Sequence, residues 1–265
     1  MGSLAHGRAD ESKNRARAFP TLGRDTMLLL LTWAAGSMDA ISYLRLGHVF
    51  TAMMTGNTVL LGLAVGQGHV LAAARSILAL AGFAVGVIVG AMVAQRGPRR
   101  GDWPSAVTGA LVLEAILLGA FAVAWQITGP ERGEIAVYVL IGLTALAMGI
   151  QSAAVQRLDV PGIMTTYITG TLTSLMVDLA HRLRPAEDCS TMAGGARTLK
   201  SSGASPMLWE GRVGLLSAVV LFYALGALAG SFLQVHSFSF VVLLPFAAVS
   251  LVVGNATIRR RRHGG

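Results

Sequence analysis

Charged side chains are scarce in this chain of 265 residues. Only 13% of the residues are Asp, Glu, Lys or Arg, whereas 54% are hydrophobic and the mean hydropathy is +0.63. Soluble globular proteins carry roughly 25% charged residues. The composition therefore excludes an ordinary soluble domain and predicts an integral membrane protein, because several apolar runs approach the roughly 20 residues that a membrane-spanning helix needs.

Cysteine and the motifs of soluble enzymes are also missing. Cys189 is the only cysteine, which excludes an intrachain disulfide and a zinc site built from cysteines. There is no Gly-x-Ser-x-Gly, no phosphate-binding loop and no His-Glu-x-x-His. All six histidines lie in tails or near the ends of apolar runs. We expect no metal, no cofactor and no enzymatic activity; a membrane enzyme is the less favoured alternative.

The net charge of +8 is concentrated outside the apolar runs. In a soluble protein this excess would suggest nucleic-acid binding, but arginines in tails and loops are what the positive-inside rule requires. We predict a lipid bilayer and no nucleic acid as partner, with both termini cytoplasmic. Residues 1–25 are predicted to be a disordered basic tail, residues 26–258 a single transmembrane domain, and residues 259–265 a second basic tail.

Eight apolar segments predict an all-α protein. They fall at 27–46, 49–66, 76–95, 105–127, 135–156, 162–180, 213–233 and 239–257. The second and sixth are short and rich in threonine. If these two do not cross fully, every arginine-rich loop lies on the cytoplasmic side. We therefore predict a polytopic helix bundle of six full spans plus two broken or re-entrant segments, with eight full spans as the alternative.

The two threonine-rich segments resemble each other, which predicts an internal repeat. The aligned pairs are Thr51 and Thr165, Thr55 and Thr169, and Gly56 and Gly170. The two copies would be residues 27–95 and 135–233, inverted because three crossings separate equivalent helices, with a flexible loop at 185–211. Broken polar segments at a repeat interface are typical of transporter binding sites.

Asp39 is the sharpest candidate for a functional residue, because an ionisable side chain at membrane depth usually faces a bundle interior or a cavity. It would bind a proton or cation, or else pair with a fixed arginine such as Arg45 or with a hydroxyl. Glu114 is a second buried acid. The substrate- or ion-binding site is predicted to include Tyr43, Thr51, Thr55, Gly56, Asn57, Gln151, Thr165, Thr169, Gly170 and Thr171. Hydrogen bonds to carbonyls one turn earlier are the alternative for the threonines.

Two of the apolar segments carry glycines at intervals of four residues. These are Gly82, Gly86 and Gly90 in the first and Gly226 and Gly230 in the second. Such faces let helix backbones approach closely in lipid. They predict close packing between helices and a homo-oligomer formed through the same faces.

Residues 36–44 and 50–62, which read Gly-Ser-Met-Asp-Ala-Ile-Ser-Tyr-Leu and Phe-Thr-Ala-Met-Met-Thr-Gly-Asn-Thr-Val-Leu-Leu-Gly, resemble the YoaK-like family of bacterial inner-membrane proteins. The resemblance extends along most of residues 27–257 and implies a multi-pass protein of the bacterial cytoplasmic membrane. It implies no catalytic or binding residue, because the family's molecular function is undefined. We expect a transporter or permease-like protein for a small polar solute or ion; the alternative is a membrane scaffold or assembly partner.

Overall fold

The structure is a computed structural model that describes residues 22–96, 103–158, 168–183, 206–236 and 240–263. Within these ranges the chain forms eight α-helices and no strand. The helices are α1 Arg24–Arg45, α2 Met54–Gly66, α3 Val70–Ala94, α4 Ser105–Thr128, α5 Glu134–Gln156, α6 Ile168–Leu183, α7 Pro206–His236 and α8 Leu243–His263. The all-α prediction is confirmed for the described part of the chain.

Five helices in the described ranges are long and apolar enough to cross a membrane: α1, α3, α4, α5 and the Arg212–His236 part of α7. The sequence predicted a further full span at 239–257. Helix α8 begins only at Leu243 and continues through Arg259–Arg262, so its apolar part is short. Helix α2 is apolar but too short to cross. Helix α7 starts at Pro206, inside the predicted loop, since a proline is well tolerated in the first turn of a helix.

The outer surface of the bundle is more apolar than that of a soluble protein. Large apolar side chains such as Val59, Ile88 and Ile116 are more than half exposed on the outside of the bundle. Polar side chains, in contrast, are buried: Thr32, Ser37, Asp39, Ser42, Thr51, Asn57, Glu114, Thr144 and Gln151. Apolar outer faces and buried polar groups are what a lipid environment selects.

The most extensive helix contacts join α1 to α7 and α3 to α5. Glycines allow both contacts. Gly226 lies against the backbone of Trp33, and Gly86 against that of Leu146, so close that a Cβ atom at either glycine would meet a carbonyl oxygen. The glycine faces predicted from the sequence are therefore used inside the chain, and a second copy would have to bind to another surface.

The two helix pairs are built alike. Gly36 of α1 faces the carbonyl of Tyr223, and Gly149 of α5 faces the carbonyl of Phe83. Residues 81–96 of the first half and residues 221–236 of the second show the same order of buried, half-buried and exposed positions. Each pair also carries a short helix, since α2 packs on α3 and α6 packs on α7, while α4 and α8 contact each other.

After α1 the chain reverses. Gly47 and His48 both adopt left-handed backbone conformations, with φ of +81° and +62°; this is a conformation that glycine reaches without strain. The reversal brings Gly47 against the side chain of Arg75 near the start of α3. Arg75 also pairs with Glu134 at the start of α5, at 2.8 Å. The end of α1 and the starts of α3 and α5 therefore lie at the same end of the bundle.

Candidate functional site

Residues 46–53 are a non-helical segment held inside the bundle by Asp39, and we call them the strap. The N–H groups of Thr51 and Ala52 donate to Asp39 Oδ1 at 2.8 and 2.7 Å. Asp39, Thr51 and Ala52 are at most 3% exposed. A non-helical backbone at membrane depth needs its polar groups satisfied by protein, and the carboxylate satisfies two of them. The acid therefore fixes the strap to α1.

A side chain of α7 is a further hydrogen-bond donor to the Asp39 carboxylate. The Tyr223 hydroxyl donates to Asp39 Oδ2 at 2.5 Å. Of the two kinds of partner that the sequence allowed, the structure supplies a hydroxyl, from a residue that the sequence analysis did not select. The only signal for Tyr223 was a phenol within an otherwise apolar helix, three residues before Gly226.

The side chain of Asn57 also binds the strap, through the backbone of Phe50. Its side-chain amide accepts from the Phe50 N–H at 2.9 Å and donates to the Phe50 carbonyl at 2.6 Å, in the manner of a neighbouring β-strand. Thr51 lies 3.3 Å from the Ser42 hydroxyl, oxygen to oxygen. Two predicted site residues, Thr51 and Asn57, therefore belong to the same network as Asp39. Thr51 lies within the strap, and Asn57 and Asp39 bind the strap.

A groove of about 300 Å³ opens beside this network, between α1, the strap and α7. Its lining is mostly apolar and aromatic: Ala40, Tyr43, Leu44, Phe50, Met53 and Ala227, with Asp39, Tyr223 and Ser231 as the polar members. Tyr43 is stacked on Phe50, with ring centroids 5.1 Å apart. The predicted site residue Tyr43 therefore forms a wall of the groove. The volume of the groove is at the lower end for small-molecule pockets.

Gly56 leaves space for the Phe50 side chain of the strap. A Cβ atom at this position would stand 2.8 Å from the Phe50 ring, whereas nothing lies within 4 Å of a Cβ at Gly62 on the same helix. Thr55, next to Gly56, is exposed on the outside of α2. Thr55 therefore does not join the network around Asp39, although the sequence predicted it in the site.

The second threonine-rich segment lies elsewhere. Thr169 is exposed and Thr171 is buried on α6, which packs against α7. Gly170 follows Thr169 on α6, and Thr165 lies outside the described residues. Among the described residues, helices α2 and α6 do not form a packed pair, so the parts of the two segments on these helices do not share one lining. Gln151 is buried between α5 and α1 and donates to the carbonyl of Leu31 at 3.1 Å.

Arginines gather at the end of the bundle where the strap begins. Arg132, in the loop between α4 and α5, stacks on Trp125 with its guanidinium carbon 3.6 Å from the ring centroid. Partial burial, followed by the positive charge of Arg45, lowers the pKa of Arg132 to about 10. The guanidinium therefore stays charged near neutral pH.

The fold and the buried polar network define an α-helical integral membrane protein. The chain belongs to the family described as "Protein of unknown function (DUF1275)", which matches residues 27–256. It is 46% identical over 160 residues to the "UPF0700 transmembrane protein YoaK" of Bacillus subtilis (strain 168), a match that covers 60% of this chain and 69% of that protein. The resemblance to YoaK-like proteins is therefore confirmed. No solved structure matches the chain.

Proposed function

We propose that this protein is a transporter or permease-like protein of the bacterial inner membrane that moves a small polar solute or ion. The observation that carries the proposal is the strap at residues 46–53. Non-helical backbone at membrane depth is tolerated where it is buried in protein or lines a cavity, and broken segments of this kind form the binding sites of secondary transporters. The groove beside the strap, with Asp39 and Tyr223 in its wall, is the candidate entry to the site.

The proposal includes an inverted repeat of α1–α3 and α5–α7, with α4 and α8 as additional helices. Its support is the reciprocal packing: α1 contacts α7 while α5, its counterpart, contacts α3. Gly36 and Gly149 serve the same purpose in the two contacts, and so do Gly226 and Gly86. This pattern of contacts is the one expected when two copies with the same internal order are related by a two-fold axis in the membrane plane.

The proposal also includes six crossings with both termini cytoplasmic. Eight crossings would put the end of α1 and the start of α3 on opposite sides of the membrane. The contact of Arg75 with Gly47 and its ion pair with Glu134 instead favour one side for both. At the other end, Arg259 donates to the carbonyl of Leu22 at 3.3 Å, which joins the last helix to the start of the first.

Cysteine labelling in intact cells should give a pattern opposite to that of eight crossings. In a Cys189→Ser background, an impermeant thiol reagent added outside should label Gln67→Cys and Glu131→Cys but not Gln95→Cys. Gln67 and Gln95 are exposed at helix ends, and Glu131 is exposed in the loop between α4 and α5. Permeabilised cells, in which all three positions should react, are the control. Labelling of position 95 alone from outside would overturn the six-crossing arrangement.

A matched pair of glycine substitutions tests transport. A strain lacking the gene should be complemented with the wild type, Gly56→Leu or Gly62→Leu, and solutes inside and outside the cells should be compared. We expect the wild type and Gly62→Leu to restore the same distribution. Gly56→Leu should fail at equal membrane abundance, because its side chain meets the Phe50 ring that forms the groove. Identical solute profiles for the deletion strain and the wild type would contradict a transport function.

The scaffold alternative has less support. It rested on glycine-rich helix faces available to other proteins, and those faces are occupied by helices of the same chain.

A further inference from the structure

Glu114 is a second acid at membrane depth, and it is placed very differently from Asp39. It lies near the middle of α4 and is 0% exposed. Leu111 and Leu118, three and four residues away on the same helix face, are also completely buried. Helix α4 packs against α3, α5 and α8, so the carboxyl group lies within the apolar interior of the bundle.

Neither carboxyl oxygen of Glu114 has a hydrogen-bond partner among the residues that the structure describes. Asp39, by contrast, accepts two backbone N–H groups and a phenol. An ionised carboxylate without donors or counter-ion is strongly disfavoured in an apolar interior, and such a group takes up a proton instead. The two buried acids are therefore of two kinds, one held by fixed donors and one without them.

The helices packed around Glu114 bring no charge to its level. Helix α3 contains Arg75, which pairs with Glu134 of α5 at the end of the bundle. Helix α5 further contains Tyr138 near its start, and α8 carries its charges in its last turns, at Arg259–Arg262 and His263. Glu114 is the only ionisable residue of α4.

A proton fits this position better than a metal ion does. Hard cations such as Ca²⁺ or Mg²⁺ take six or more oxygen ligands. In the described part of the chain, no group of three His, Cys, Asp or Glu residues could hold a metal. A proton needs a single carboxyl oxygen and removes the buried charge.

We propose that Glu114 is a proton-binding site of the membrane domain. Its carboxyl group is neutral while the face of α4 is packed, and it releases the proton when that face becomes accessible to water. The assignment goes beyond the transport proposal, because it holds whether or not a solute crosses. Its use as the coupling site, in place of Asp39, rests on the proposed function.

Infrared spectroscopy of the protein in lipid tests the assignment directly. Near neutral pH the wild type should show the C=O stretch of a protonated carboxylic acid, and Glu114→Gln should lack it while keeping the melting temperature of the wild type. Glu114→Asp should keep a protonated acid at a shifted frequency, which provides a second variant if Glu114→Gln folds poorly. Asp39→Asn should leave the Glu114 band in place. The proposal would be overturned if Glu114→Gln kept every carboxylic-acid band of the wild type and Glu114→Asp showed no shifted band.

The coupling role is decided separately in vesicles with an imposed pH gradient, using the solute that the complementation experiment identifies. The wild type should accumulate this solute, whereas Glu114→Gln should exchange it across the membrane without accumulation. Accumulation by Glu114→Gln equal to that of the wild type would overturn coupling through Glu114. Absence of any movement by the wild type would contradict the proposed function, while the infrared band would still decide protonation of Glu114.

Discussion

Replacing Gly36 or Gly226 by alanine should destabilise the folded protein by about 3 kcal/mol each, the upper end for an overpacked core. The added methyl group would meet the carbonyl oxygen of Tyr223 in the first case and that of Trp33 in the second. Because both obstacles are backbone atoms, α1 and α7 must move apart rather than repack side chains. Thermal unfolding of the purified protein in detergent, followed by size-exclusion chromatography, measures the loss.

Two other glycines provide the control. Gly142 in α5 and Gly214 in α7 have no atom within 4 Å of an added Cβ. Alanine there should be neutral or slightly stabilising, because alanine favours a helix over glycine by up to about 1 kcal/mol. Equal melting temperatures for all four variants would contradict the close helix contact.

The second large effect is expected at Asp39. Asp39→Ala leaves the N–H groups of Thr51 and Ala52 and the Tyr223 hydroxyl without their acceptor. A buried donor left without an acceptor costs roughly 1–3 kcal/mol, and this substitution leaves three of them, so a loss of several kcal/mol is expected. Tyr223→Phe removes one hydrogen bond to a charged group and should cost about 1.5–3 kcal/mol. The melting temperature, together with the rate of proteolysis within the strap, reports both changes.

The double variant separates a shared network from independent losses. If Asp39 and Tyr223 act through their mutual bond, the combined loss should be smaller than the sum of the two single losses. Asp39→Asn is the conservative control, because an amide oxygen still accepts from Thr51 and Ala52 and should keep the strap in place. A stable Asp39→Ala protein with an intact strap would show that the carboxylate does not hold this segment.

The burial of Asp39 was predictable from the sequence, but its partners were not. An acid in the middle of an apolar run has to face protein or water, and this holds for any arrangement of the other helices. The sequence offers only local partners such as Arg45, whereas Tyr223 lies 184 positions away along the chain. The contact depends on the packing of α7 against α1, which a single sequence does not specify.

The positions of the threonines show a second limit. Helix α2 is apolar nearly all round, so its sequence gives no sign of which face packs inward. Thr55 and Asn57 lie two positions apart, and such residues point to different sides of a helix. Asn57 is buried against Phe50, and Thr55 is on the outside. The glycine faces were more predictable, because a regular spacing of four residues specifies a face without knowledge of the partner helix.

The bond between Asp39 and Tyr223 joins α1 to α7 and has no counterpart in the matching contact of α5 with α3. Gly149 and Phe83 occupy the positions that correspond to Gly36 and Tyr223, so Ser152 corresponds to Asp39, and a serine and a phenylalanine cannot form a carboxylate–phenol bond. In the proposed transporter with an inverted repeat, two identical halves that exchanged shapes would give inward- and outward-facing states of equal free energy. A bond worth about 1.5–3 kcal/mol, made in only one of the two matching helix contacts, would shift that equilibrium by roughly tenfold or more. The protein would then populate mainly one of the two states, and a ligand that breaks the bond would shift the population towards the other state.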